Sequence, residues 1–354
     1  MRQLRYRAGR NFLKQRMYKN LTIYYFSGTG NTLTACRWIT ENEQKRGLKT
    51  NLIPIDRFNK IIPPPAEGRR LIGFCYPTHG FNLPWIMLKF ILKFPRMPRC
   101  DVFLLNSMGG VSGIAQILPA LILLIKGFRV KGMFPLYMPS NWISVHPGLS
   151  EAVVSRMFAR SRGKLDKFCK KIFAGKIYLR PIVFIMLPLD IALAPIAFMY
   201  FMYGRFYFAK VFIAATDCDT CRLCETKCPT TSIRIIDNRP FWKLTCESCM
   251  RCINICPQKA IQVSHSLAVL IPIISSFVPV ALALNYFHAF IPAMLIKPAD
   301  FFIKWGITLS MFFIISGLVF WLIRIKPINK LFAFTSLTKY WRLYIAPGIK
   351  AKDF

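Results

Sequence analysis

Acidic side chains are scarce in this 354-residue chain: 15 Asp and Glu stand against 49 Lys and Arg, for a formal net charge of +34. Such a surface suits an anionic lipid leaflet or an acidic protein partner better than a neutral one. No nucleic-acid-binding motif accompanies the charge, so nucleic acid is set aside as a partner. The N-terminal segment, Met1 to Asn20, is basic and polar and lacks the apolar core of a signal peptide. With twelve cysteines, that lack argues for a reducing compartment and metal ligation rather than a disulfide framework. No acid, base or nucleophile constellation stands out, and no catalytic residue is assigned.

What is present begins with the cysteines. From Cys218 the chain reads C-D-T-C-R-L-C-E-T-K-C-P, and from Cys246 it reads C-E-S-C-M-R-C-I-N-I-C-P. Every cysteine of the first run recurs 28 residues later, which marks an internal duplication. Three cysteines at this spacing can hold three corners of a 4Fe-4S cubane, while the fourth, followed by proline, turns away to complete the other cluster. One cluster is therefore assigned to Cys218, Cys221, Cys224 and Cys256, the other to Cys246, Cys249, Cys252 and Cys228. Pro229 and Pro257 fix the chain's exit from each run. A short strand over 232–236, a turn at Asp237 and Asn238, and a return through Phe241 and Trp242 predict a hairpin between the runs. Zinc also uses C-x2-C pairs, but four ligands in one such run, repeated, suit it poorly. The isolated Cys36, Cys75, Cys100 and Cys169 read as small core residues.

Near the start, an apolar β-rich run over 21–26 ends in S-G-T-G-N-T, and a helical pattern follows from Leu33. Strand, small-residue loop and helix form a phosphate cradle: backbone N–H groups of Gly28, Thr29, Gly30 and Asn31, with the hydroxyls of Ser27, Thr29 and Thr32, can converge on a dianion at the helix N-terminus. A dinucleotide G-x-G-x-x-G would need glycine where Leu33 stands, and a P-loop would need a lysine that is absent. Further strands are expected at 51–55, 71–76, 102–106 and 133–137, with helices near 32–46, 83–93, 113–126 and 149–173. This alternation predicts a five-stranded doubly wound parallel α/β sheet with its ligand over the carboxyl ends of the strands. Two more loops leave those ends: Pro77, Thr78, His79, Gly80, Phe81 and Asn82 form one, and the other runs from Asn106 through Gly109 and Gly110 to Gly113. His79 reads first as a loop histidine satisfying a local hydrogen bond, with a role beside a ligand as the alternative.

The loop from Ser27 to Thr32 resembles the flavodoxin phosphate motif, and the other two loops sit where flavodoxins wrap the isoalloxazine ring. The resemblance implies FMN. Together with the cysteine block, residues 17–262 resemble the flavodoxin-ferredoxin fusion family, often labelled EFR-type ferredoxins. This domain departs from flavodoxins in being basic, and only Phe81, Tyr76 and Trp142 are candidates to flank the ring.

The hydrophobic share is 54 % and the mean hydropathy is +0.37, and the apolar residues cluster. Residues 266–296 and 305–323 carry no formal charge and are each long enough to span a bilayer, joined by eight residues as a helical hairpin. An earlier stretch, 181–204, is interrupted by Asp190, Pro181, Pro188 and Pro195. Its flanks carry 31 Lys and Arg before it and nine between Arg205 and His265, so the positive-inside tendency keeps both sides cytoplasmic. It therefore reads as an interfacial or re-entrant helix pair, with a buried linker as the bland alternative. His288 lies inside the first spanning candidate; the other span has no second histidine for a haem, which leaves a quinone contact. Tyr340, Trp341 and Tyr344 interleave with Lys339 and Arg342 as in a membrane-surface segment.

The expected organisation is a basic segment (1–20), a flavodoxin-like FMN domain (21–176), the apolar interfacial or re-entrant segment (177–210), a small α+β two-cluster 4Fe-4S ferredoxin domain (211–264), a C-terminal transmembrane helical hairpin (265–323) and a basic cytoplasmic tail (324–354). The expected function is electron transfer between FMN and two 4Fe-4S clusters at the cytoplasmic membrane, with the cofactor domains on the cytoplasmic side. The expected partners are a redox protein, acidic by charge complementarity, the lipid bilayer, and quinone. A quinone-reducing or quinol-oxidising enzyme and an iron-sulfur scaffold with an empty flavodoxin fold stand as alternatives.

Overall fold

A computed structural model of the chain describes residues 18–45, 47–56, 69–179, 183, 185–275 and 296–354. The basic start through residue 17 and most of the first spanning candidate, including His288, lie outside the described residues.

Strands β1 (Asn20–Tyr25), β2 (Lys49–Pro54), β3 (Arg70–Pro77), β4 (Asp101–Met108), β5 (Arg129–Tyr137) and β6 (Tyr178–Leu179) form one sheet in the order β2-β1-β3-β4-β5-β6. Every pairing is parallel. The sheet thus has six strands rather than the expected five; β6 is only two residues long, too short for a period-2 pattern to announce it.

Alternation along each strand sends side chains to two different cores. Leu21 and Ile23, Leu71 and Cys75, and Phe103 and Leu105 face one side, where the helices Asn31–Gln44 and Glu151–Phe173 supply Ile39, Phe158, Leu165 and Phe168. Tyr24, Ile72, Phe74, Tyr76, Val102 and Leu104 face the other, under Trp85–Lys93 and Ile117–Ile125. Burial on both faces explains why these strands are nearly continuous hydrophobic runs. Cys36, Cys75, Cys100 and Cys169 are all buried in these two cores.

At the amino ends of the strands, fully buried Asp101 accepts hydrogen bonds from Tyr18 (2.8 Å) and Arg129 (2.7 Å). At the carboxyl ends, the chain leaves β1 toward β2 on one side and returns to β3 on the other. The crevice between β1 and β3 is therefore a topological switch point, where open α/β sheets bind ligands.

A second, smaller unit follows. β7 (Phe212–Ala214) pairs antiparallel with β10 (Ile261–Val263), and β8 (Ile233–Ile236) with β9 (Arg239–Trp242) across a turn in which Asp237 and Asn238 both take positive φ. The sequence duplication recurs in the backbone. Left-handed residues occur in pairs 28 apart, Thr220 with Ser248, Arg222 with Met250 and Thr231 with Lys259, and the short helices Leu223–Thr226 and Arg251–Ile255 begin in the same register.

Among the described residues, two helices are long and apolar enough to cross a membrane, Leu187–Lys210 and Ile303–Leu322. The first runs without a break from Leu187 to Lys210. Pro188 falls in its first turn, where no N–H is missed, and the run passes through Pro195 and a π-turn at Tyr200–Gly204. Tyr203 and Tyr207 of this helix pack their rings on Phe312 of the second, at 5.1 and 5.9 Å between centroids. Of the residues read as a surface segment, Tyr340 is exposed, but Tyr344 is buried, together with Ala346 and Ile349, against the sheet domain's first helix.

Gly73 in β3 has no room for a side chain, because a Cβ there would overlap the Phe103 ring. Gly73→Ala is expected to lower unfolding stability by about 1–3 kcal/mol. The double variant Gly73→Ala with Phe103→Leu should recover part of that loss in thermal unfolding of the detergent-solubilised protein.

Candidate functional site

The carboxyl ends of β1, β3, β4 and β5 surround a cleft with about 680 Å³ of atom-free space, its open mouth included. Ser27, Gly28, Thr29, Asn31 and Thr32 line it from the first loop, Pro77, Thr78, His79 and Gly80 from the second, and Gly109 from the third. The other sequence-selected positions lie behind the wall. Gly30 takes the left-handed conformation (φ +100°) that starts the helix, and a Cβ there would crowd Ala346 and Ile349. Asn106 is fully buried and braces two loops by donating to Thr78 Oγ1 (2.7 Å) and Ser112 Oγ (2.6 Å). Phe81 backs onto Gly113, and Gly110 faces a neighbouring cavity.

The hydroxyls of the first loop already have protein partners. Ser27 Oγ accepts from the Gly30 and Leu33 N–H groups (3.2 and 3.3 Å), Thr32 Oγ1 meets Ser107 Oγ (2.9 Å), and Thr29 Oγ1 accepts from Asn141 (2.8 Å). These bonds shape the loop. The anion-binding capacity rests on the helix N-terminus, whose first N–H groups have no intrahelical acceptor.

Several wall residues carry no local sequence signal. Pro139, Ser140 and Asn141 follow the end of β5, and Tyr200 reaches in from the apolar Leu187–Lys210 helix; Ser107 and Met108 belong to the third loop expected from the sequence. Gly80 lies directly under the Tyr200 ring, where any Cβ would collide. Trp142 also lines the cleft, with its ring edge-on to Tyr200 at 6.5 Å. Of the other aromatics considered, Tyr76 is fully buried and donates to the Ala115 carbonyl (2.8 Å), away from the cleft.

His79 pairs through its backbone with Asn82 in both directions, but its ring Nδ1 is enclosed without a hydrogen-bond partner. Burial pushes the imidazole down to about 4. The local hydrogen bonds expected of this loop histidine are thus made by its backbone and not by ring Nδ1.

The eight clustered cysteines fall into two groups of four. Cys218, Cys221, Cys224 and Cys256 line one small cavity. Burial pushes the Cys224 thiol up to about 12, and neighbouring Cys218, Cys256 and Cys221 add to the rise. In the other group, burial and then the proximity of Cys246, Cys249 and Cys228 raise Cys252. Each group thus takes its fourth sulfur from the opposite repeat. Several sulfurs accept hydrogen bonds, Cys228 from the Ser232 N–H (3.2 Å) and Cys246 from the Ser248 N–H (3.4 Å). Among the described residues, no group of three or more His, Cys, Asp or Glu is arranged to hold a metal ion.

The two units meet at the cleft. Ser248 and Met250, flanking Cys249, form part of its wall, and a Cβ on Gly28 would come within 2.5 Å of the Cys249 carbonyl oxygen. Buried Arg251 donates to the carbonyls of Ser27 (2.5 Å), Gly28 (3.1 Å) and Lys227 (2.9 Å) and pairs with Asp56 (2.6 Å). Glu247 accepts from the N–H groups of Trp85 (3.1 Å) and Ile86 (2.9 Å) at the start of their helix. Burial pushes its carboxyl up to about 7, opposed by Arg205. The C-terminal strap closes the seam: Tyr344 donates to Asn31 (2.5 Å), its N–H donates to Asn254 (2.6 Å), and the Ala346 N–H donates to the Thr29 carbonyl (2.9 Å).

No protein-family model matches the chain, and no curated protein matches it. Among solved structures, it is similar to a two-electron reduced flavodoxin from Megasphaera elsdenii, at 22 % identity over 32 % of this chain and 84 % of that one, with a TM-score of 0.28. A flavodoxin from the domain Archaea matches at 16 % identity over 43 % of this chain and 99 % of that one, TM-score 0.29. The rubredoxin oxygen:oxidoreductase of Desulfovibrio gigas matches at 16 % identity over 44 % of this chain and 37 % of that one, TM-score 0.31. The strand order and the all-parallel pairing themselves make the sheet unit a flavodoxin-like domain.

Two predictions follow from the geometry of the seam and of the cleft. Arg251→Met removes a buried cation and leaves Asp56 and three carbonyls without it, so thermal and denaturant unfolding should show a loss of about 3–5 kcal/mol. For His79, the folded value of about 4 lies below the ordinary 6.5, so the unfolded chain holds the proton first and stability rises with pH between those values. His79→Asn should flatten the melting temperature against pH over that window; a profile parallel to the parent's would show that the ring is not held neutral.

Proposed function

We propose that this chain is a membrane-attached electron-transfer protein that binds FMN in the cleft and one 4Fe-4S cluster in each cysteine group, as a relative of the flavodoxin-ferredoxin fusion proteins. The observation that carries the reading is the cross-repeat grouping of eight cysteines beside a flavodoxin-like cleft. Bound flavin exchanges one or two electrons and each cluster one, so together they convert between paired and single electrons.

The chain's own residues fit these groups. The helix N-terminus beyond Gly30 offers backbone N–H groups and a favourable dipole to a phosphate dianion. Trp142 and Tyr200 supply aromatic walls where Tyr76 and Phe81 do not. The unpartnered His79 Nδ1 points to a polar contact missing from the protein itself. A cubane seats its four thiolates at separate corners instead of round one ion, which is compatible with the lack of a single-ion site among the described residues. Crowded thiols with raised proton affinity are costly to ionise together, and iron offsets that repulsion. The N–H groups aimed at sulfur tune the potentials, and Ser248 and Met250, in the loop carrying Cys249, bring one cysteine group up to the cleft.

The helices Leu187–Lys210 and Ile303–Leu322 are the proposed membrane attachment, the second as one arm of the hairpin. The basic residues on both flanks of the first support placing the cofactor domains on the cytoplasmic side. The positive charge favours an acidic redox partner.

Anaerobic analysis of detergent-purified protein should give about eight irons, about eight sulfides and one FMN per chain. Cys228→Ser should remove the iron held with Cys246, Cys249 and Cys252, leaving about four irons per chain. Stoichiometric zinc, or unchanged iron in that variant, would overturn the assignment.

A further inference from the structure

Beside the cleft lies a second cavity that the flavin and cluster reading leaves unused. It holds about 590 Å³ of atom-free space, mouth included, and is walled mainly by apolar groups: Met108, Val111, Ile117, Pro135, Val183 and Met186. Two buried polar side chains also line it. Gln116 is 2 % exposed and Asp190 3 %, and among the described residues neither amide atom of Gln116 nor Oδ1 of Asp190 has a hydrogen-bond partner. The other side of the Asp190 carboxyl is held by the Gly113 backbone N–H. Buried polar atoms left unpaired are rare because they are costly, so three facing one apolar cavity point to a ligand that pairs with them.

The position narrows the ligand. Met108 lines both the cleft and this cavity, and adjacent Gly109 and Gly110 face one each, so the two spaces are separated by a single loop. Asp190 lies in the first turn of the Leu187–Lys210 helix, whose Leu189 and Ile191 are exposed, and the Ile117–Ile125 helix likewise exposes Leu121, Leu124 and Ile125. The cavity is thus built from elements with bare apolar outer faces, as suits a ligand arriving from lipid.

We propose that this cavity binds the ring of a lipid-soluble quinone or its hydroquinone. The ring is flat and apolar with two opposed oxygens. The Gln116 amide donates to a quinone carbonyl through Nε2 or accepts from a hydroquinone hydroxyl through Oε1, and the Asp190 carboxyl likewise donates when protonated and accepts when ionised. One pair of side chains can therefore hold both redox forms. The choice of a redox-active ring over another amphiphile rests on the electron-transfer reading of the adjoining cleft; the binding itself does not.

The test is calorimetric titration of the full-length, detergent-purified protein with decyl-1,4-benzoquinone and with decylcyclohexane, which has the same tail and no oxygens. Flavin and iron are measured in the same preparation. Saturable quinone binding at least about tenfold tighter than that of decylcyclohexane is expected, weakened about tenfold or more by Gln116→Leu and by Asp190→Leu. Gln116→Leu should melt no lower than the parent, because it removes an unpaired buried amide, whereas Asp190→Leu also strips the Gly113 N–H of its acceptor and should melt somewhat lower. Equal affinity for the two ligands, or full quinone affinity in both variants, would overturn the proposal and leave a cavity that holds only water. A preparation that binds quinone without flavin would uphold the site and sink the reading of the cleft, whereas flavin without quinone binding would do the reverse.

Discussion

The buried guanidinium of Arg251 makes the most connected link between the two halves of this protein among the described residues. Arg251 occupies the first position of the second short helix of the cysteine unit, yet its hydrogen bonds reach the Ser27 and Gly28 carbonyls of the first cleft loop and Asp56 beyond β2. A buried cation is tolerated only when its donors are fully used and its charge is paired, and the planar fork of arginine meets both needs at once. The consequence is geometric: the loop that would carry a phosphate and the loop that carries Cys249 cannot separate without stripping Arg251 of its partners. The Phe354 ring lies over the same guanidinium at 4.4 Å, and Glu247 fastens the neighbouring turn to the helix Trp85–Lys93.

From that junction the other contacts follow. The left-handed residues at Ser248 and Met250 turn the cysteine loop so that both line the cleft, and Gly28 is the residue that lets the loop approach so closely. The same torsions at Thr220 and Arg222 in the first repeat face away from the cleft, beside an exposed Cys221. The duplicated unit is therefore symmetric in backbone and asymmetric in setting, with one cysteine group against the cleft and the other toward solvent.

The apolar helix Leu187–Lys210 has more than one task. Its outer face is bare, its inner face packs Tyr203 and Tyr207 on Phe312, and single residues along it enter two cavities: Asp190 at one end and Tyr200 midway. One element thereby carries an exposed apolar face and also helps to build the cleft. Removing the helix would strip the cleft of one aromatic wall.

Features encoded over short stretches were legible in the chain alone. The cysteine spacing and its 28-residue repeat, the S-G-T-G-N-T loop between strand and helix, and the parallel α/β alternation all depend on neighbours within a few residues, where sterics and ligand reach act directly. The hydroxyls of Ser27 and Thr32 carried a local signal of anion binding, but the fold engages them in shaping the loop. What only tertiary structure decided were the meetings between distant segments: Tyr200 over Gly80, Arg251 on Ser27, Gln116 with Asp190, and a C-terminal strap whose Tyr344 reads as a membrane-surface residue until it is seen bonded to Asn31. Those contacts depend on which faces of separate elements come to lie together. A local pattern shows that a face is apolar or charged, and the partner that covers it is chosen by the packing of the whole chain.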